Sequence, residues 1–171
     1  MRVTNSGVPV EELITTVKAG LRQAGVSHSA SQGDLRVESV ELVLQALASK
    51  AAGGELDFRI PFIGMKLRAG TKVTSQDTNT IDMTLKPPGK PARRVRGGNV
   101  ERALVDAITT IRTAMAQAAS GPDPWDLSAA VVDISFGVTK EGSISLGANG
   151  ELANEVTQTL RLRVTPDPGG K

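Results

Sequence analysis

The chain has 171 residues, of which 39% are hydrophobic and only 2% aromatic, and its net charge is +2. That is apolar material for one compact domain or two small ones, with a core that must be aliphatic. The lack of cysteine excludes disulfides, thiolate nucleophiles and cysteine-ligated metals, and charge this evenly mixed gives no bulk basicity for nucleic acid.

The opening MRVTNSGVPVEEL has no apolar leader, and no run approaches the roughly 18 apolar residues of a membrane span. The expectation is a soluble, cytoplasmic protein. The first element is a helix. Val10, Ile14, Val17 and Leu21 recur at helical spacing, Pro9 suits a first turn, and Glu11 and Glu12 sit where a helix N-terminus favours acids.

LRVESVELVLQAL, Leu35 to Leu47, predicts a strand. Val40, Leu42, Leu44 and Ala46 share one face, but Leu35 and Val37 fall on the opposite parity. A period-2 strand reverses its faces only by adding a residue, so a bulge or bend is expected near Ser39. The next segment, LDFRIPFIGMKLRAG, puts Leu56, Phe58, Ile60 and Phe62 on one parity and Ile63, Met65 and Leu67 on the other. Pro61 cannot sit inside a regular ladder, so an edge strand, a bulged strand or a strand-loop is expected. A third strand closes the unit: Ile81, Met83 and Leu85 alternate with polar residues until Pro87.

KPPGKPARRVRGG, Lys86 to Gly98, then holds five basic residues and no acid. Pro and Gly keep such a connector extended and Lys and Arg keep it solvated. Arg93, Arg94 and Arg96 could instead form a weak, salt-sensitive patch for nucleic acid or an anionic surface, or dock an acidic partner.

The second half of the chain repeats the first. VEELITTVKAGLRQAG (Val10 to Gly25) lies over LVDAITTIRTAMAQAA (Leu104 to Ala119) without a gap, with ITT identical. Asn99 and Glu101 supply the second helix with start signals. LSAAVVDISFGVT matches the first strand and repeats its change of phase, which places a second bend near Val131. Leu160, Leu162 and Val164 alternate and stop at Pro166, as the first unit stops at Pro87. Only the middle differs, because the second copy has the shorter SISLGANG.

The predicted architecture is therefore α+β: two αβββ repeats with antiparallel sheets, packed as a pseudo-twofold pair. The expected boundaries are 1–88, a basic linker 89–98, a second repeat 99–167 and a disordered tail 168–171. Units this small bury too little surface alone, so a shared core is expected.

The succession LITTVKAGL, VELVLQA, FRIPFIGMKL and SQDTNTIDMTLKP resembles the bacterial trypsin-co-occurring domain family, second type. The resemblance runs through nearly all of copy one. Copy two keeps the helix, the VDISFGV strand and the TQTLRLRVTP ending, and departs in its middle. The resemblance implies a small non-enzymatic module, of a kind common in actinobacteria, found beside trypsin-like proteases and in conflict or signalling systems. It implies an adaptor that binds a partner effector or protease, or another copy of itself, and it supplies no binding residue.

Catalytic chemistry finds little to use. His28 is the sole histidine and lies in a Ser-rich loop, so zinc sets and a Ser/His/Asp triad are not expected, and GDSGG, GxxxxGK[ST] and GxGxxG do not occur. Asp123 and Asp126 flank Trp125 in GPDPWDL and are the carboxylates that a small hydrolase would use; the plainer expectation is a stiff turn with Trp125 capping the core. No cofactor, metal or small-molecule substrate is expected. Phe58, Ile60, Phe62, Ile63, Met65 and Leu67 either complete the core as an edge strand or form an apolar interface.

Overall fold

The computed structural model describes residues 4–24, 35–50, 56–67, 69–86, 100–120, 122–146 and 152–166. His28, Arg93, Arg94, Arg96, the linker 89–98 and the tail 168–171 lie outside the described residues.

Among the described residues, seven strands and two helices run in the order β1 (Val8–Pro9), α1 (Val10–Gln23), β2 (Leu35–Lys50), β3 (Leu56–Ile60), β4 (Asn79–Leu85), α2 (Val100–Ala118), β5 (Ala130–Val138), β6 (Ile144–Ser145) and β7 (Gln158–Pro166). The fold is α+β with a mostly antiparallel sheet. Pro9 is the N-cap residue of α1, with Glu11 and Glu12 in the first turn. The ITT motif does the same local work in both helices. Thr15 and Thr16 donate to the carbonyls of Glu11 and Glu12, and Thr109 and Thr110 to those of Val105 and Asp106, each hydroxyl bonding one turn back.

Strand β2 organises the sheet. Val40–Ala46 pair with β4, Leu35–Val43 with β7 and Leu47–Lys50 with β3. Because Val40–Val43 are paired with both β4 and β7, those strands lie on opposite sides of β2. Strand β7 in turn pairs with β5. The central order is thus β4-β2-β7-β5, antiparallel throughout.

This order differs from a pseudo-twofold pair. By sequence β4 corresponds to β7 and β2 to β5, and a twofold axis normal to the sheet would give β4-β2-β5-β7. Instead the pair β7-β5 comes after β4-β2 in the same sense and direction. The copies are related by a step of two strands, about 10 Å across the sheet. The ladders within the copies are not quite superimposable. Leu42 faces Met83 and Leu44 faces Ile81, whereas Val132 faces Leu162 and Ile134 faces Leu160. That is a slip of two residues, which keeps every side chain on its face.

The bulge expected near Ser39 is present: Val37 faces Val164, Ser39 faces Arg163, and Glu38 is the extra residue. Its counterpart near Val131 is not a bulge. The β5–β7 ladder is regular from Ala130 to Phe136. Leu127 and Ala129, on the other parity, precede the strand, so no pleat has to be reversed.

One apolar core lies between the helices and a single face of the sheet, with residues from both halves. Leu13, Val17 and Leu21 of α1 and Ile108 of α2 meet Val40, Leu42 and Leu44 of β2, Leu160, Leu162 and Val164 of β7, and Phe136. Each large apolar side chain withdrawn from water contributes about 1.5–3 kcal/mol. The helices also touch: Arg112 donates to the Ala24 carbonyl at 3.2 Å, placing a cation at the C-terminal end of α1. Gly7, at φ 105°, closes a small turn with Thr4 beneath β3, where a Cβ would fall on the Ile60 carbonyl oxygen.

Candidate interaction surface

The face of the sheet away from the helices is polar and organised in cross-strand rows. Asp133, Arg161 and Glu41 lie directly opposite one another on β5, β7 and β2. Arg161 donates to both Asp133 oxygens at 2.7 and 3.0 Å and reaches Glu41 at 3.8 Å. In the next row Arg163 donates to Glu38 at 2.8 Å. The hydrogen bond from Arg161, with its charge, holds the Asp133 carboxyl below the usual carboxylate range, and Asp133 raises the Arg161 guanidinium in return. Basic β7 is thus stitched to acidic positions on both neighbours.

The longer middle segment of copy one has a structural task. Strand β3 pairs with β1 on one side and β2 on the other. The chain then leaves at Pro61 and crosses to the second copy. Phe62 bridges to Val138, and the Ile63 amide donates to the Val138 carbonyl at 2.7 Å. Met65 and Val73 form a small second core with Val156, backed by Leu47 and Phe62. Glu155 fastens the loops from the other side, accepting from the Gly64 amide at 2.8 Å and from Lys72 at 2.7 Å. Burial pushes its carboxyl up, but these two donors and the Lys72 charge bring it below its ordinary value. Gly137 completes the brace, because a Cβ there would stand 2.9 Å from side-chain atoms of Ile63 and Leu152.

These contacts place the six residues expected at an interface. Ile60 is fully buried and Met65 is 8% exposed, so neither can meet a partner. Phe58, Phe62 and Ile63 are half-buried, the latter two against the second copy. Leu67 is exposed, as is Leu56 at the start of β3. Ile60 and Met65 complete the interior, and part of the segment's contacts, to Val138, Glu155 and Val156, lie on copy two, where the copy-one sequence alone could not display them.

Trp125 does not cap the core. It is 69% exposed, and its backbone amide closes the end of α2 by donating to the Ala118 carbonyl at 2.9 Å. Asp123 and Asp126 beside it are exposed as well, so the three residues form no enclosed pocket. An open depression of roughly 480 Å³ lies elsewhere, lined by Gln45, Thr74, Ser75, Asn154, Glu155 and Thr157 among others. Its acid, Glu155, is the structural brace. Among the described residues no group of acids and His could hold a metal, and no helix is long and apolar enough to cross a membrane.

The surface that sequence reasoning missed is the pair of outer strands. Among the described residues, β4 pairs with β2 alone, and Ala130–Phe136 of β5 pair with β7 alone. Strand β6 covers only Gly137 and Val138. Each outer strand therefore presents one row of backbone donors and acceptors. Ile81, Met83 and Leu85, and likewise Ala130, Val132 and Ile134, are only half-buried, whereas the matching residues of β2 and β7 are buried. Four alternating strands in two copies were the available signal, since two strands of an open sheet must be outermost.

Two helices over one mostly antiparallel sheet define the class among the described residues: a small α+β protein. Residues 8–87 match the model of trypsin-co-occurring domain 2, so the first half of the chain carries that domain, as its motifs implied. No curated protein and no solved structure matches the chain.

Proposed function

We propose that the protein is a non-enzymatic interaction module, an adaptor working in the cytoplasm with a trypsin-like protease or with an effector of the same conflict or signalling system. The observation that carries this reading is the pair of open strand edges, each backed by half-buried aliphatic side chains. An open edge can take a further strand through backbone hydrogen bonds, with alternate side chains adding selectivity. The match of residues 8–87 to a domain named for its co-occurrence with trypsin points to the company it keeps. No observation favours the hydrolase reading around Trp125.

The test is direct binding of the purified chain to a trypsin-like protease of the same genome, by light scattering and amide hydrogen exchange. A complex that slows exchange in β4 or β5 is the expected result. Turnover of an added ester or peptide by the chain alone, lost in Asp123→Asn or Asp126→Asn, would replace this reading with the enzymatic one.

A further inference from the structure

The junction between the copies is a worked example of strand addition within this chain, and it specifies what the free edge of β5 should accept. On one side is β2, with Val40 and Leu42 inward and Glu41 outward; on the other is β7, with Leu160 and Leu162 inward and Arg161 outward. Strand β5 is the repeat counterpart of β2. Val132 and Ile134 stand where Val40 and Leu42 stand, and Asp133 stands where Glu41 does. The edge of β2 that is filled by β7 corresponds to the edge of β5 that no described residue fills.

Charge then selects the occupant. The row Glu41–Arg161–Asp133 alternates in sign and ends on an acid at the open edge. One cation shared by two carboxylates leaves the row net negative, so a further cation opposite Asp133 continues the alternation. A like charge there is unfavourable. A second copy of this chain is poorly suited. It offers two outer strands, and both carry an acid in this row: the residue of β4 that corresponds to Arg161 is Asp82, and β5 paired with itself about the row would set Asp133 against Asp133. Head-to-tail stacking in the register of the internal junction would set Asp82 against Asp133. In the neighbouring row Val131 is 51% exposed and calls for an apolar or threonine side chain.

We propose that the outer edge of β5, Ala130–Phe136, binds an extended segment of another protein, apolar at alternate positions, with Lys or Arg opposite Asp133. The inference rests on the interaction reading above and names its site and the chemistry of the partner. Added in this way, a strand would bury the half-exposed Val132 and Ile134 as β7 buries Val40 and Leu42.

The probe is a labelled peptide with the sequence of β7, QTLRLRVTP, added to the full chain. Fluorescence anisotropy measures affinity, and amide hydrogen exchange locates the site. Binding should slow exchange across 130–136. Asp133→Arg should weaken it about tenfold, and a peptide with Glu for the first Arg should prefer that variant to the unaltered protein. If Asp133→Arg fails to fold, Asp133→Asn should give a smaller loss in the same direction. Binding indifferent to charge on either side overturns the proposal, as does no binding at low salt. Slowed exchange in 79–85 instead would move the strand to the β4 edge, which defeats this inference and leaves the interaction reading standing. Slowed exchange at 130–136 that rises with protein concentration and needs no peptide would make a second copy the occupant, and would also overturn it.

Discussion

The inner and outer strands of this sheet are built from the same alternating pattern and end in different states. In β2 and β7 the inward side chains are buried, because each strand has a neighbour on both sides and a helix layer above. In β4 and β5 the corresponding side chains are half-buried, although β4 is as apolar as β7 on its inward face. Position in the sheet, and not residue type, sets how much apolar area each strand withdraws from water.

The sharpest way to break the comparison is to remove one copy. Residues 1–99 alone would expose the β7-facing edge of β2 with its core row, and should give no cooperative monomer in urea melts followed by light scattering. A stable monomeric half would show that the junction is dispensable. Within the full chain, Leu160→Ala should cost about 3 kcal/mol. Ile134→Ala, at a half-open site, should cost roughly half as much because less area is withdrawn from water. Equal losses would erase the distinction between inner and outer strands.

The brace between the copies gives two finer tests. Gly137→Val forces a side chain into Ile63 and Leu152 and should cost about 1–3 kcal/mol. No loss would mean that the crossing loop yields freely. The smallest effect is on acid stability. The Glu155 carboxyl is lowered in the fold from its ordinary value of 4.5, so its contribution is fully present above that pH and is lost as pH falls through the lowered value. Glu155→Gln should therefore flatten the stability profile below about pH 4.5. Parallel acid profiles for the two proteins would remove Glu155 from the brace.

Much of the fold was legible in the residues. The helix stripes, the two closing strands, the bulge beside Ser39 and the duplication itself can be read from periodicity, since local backbone geometry imposes it wherever one face is buried. The second bend was misplaced because parity in Leu127 and Ala129 marks residues outside the strand as readily as a bulge within it. The segment Phe58 to Leu67 could be read either as core or as interface for a related reason. Some of the contacts of Phe62, Ile63 and Met65, those to Val138, Gly137 and Val156, lie in copy two and cannot be read from copy one.

By itself the sequence determined which segments become helices and strands, which face of each is apolar, and that the unit is written twice. Only the tertiary structure decided that the copies step across one sheet instead of facing each other about an axis. It also decided that β7 is enclosed while β4 and Ala130–Phe136 of β5 each have a single neighbour among the described residues. The physical reason is that alternation fixes a strand's faces but says nothing about its neighbours. Those are settled only once distant segments have met, where β2 and β7 bury their apolar rows in one core and Arg161 comes to lie between Glu41 and Asp133.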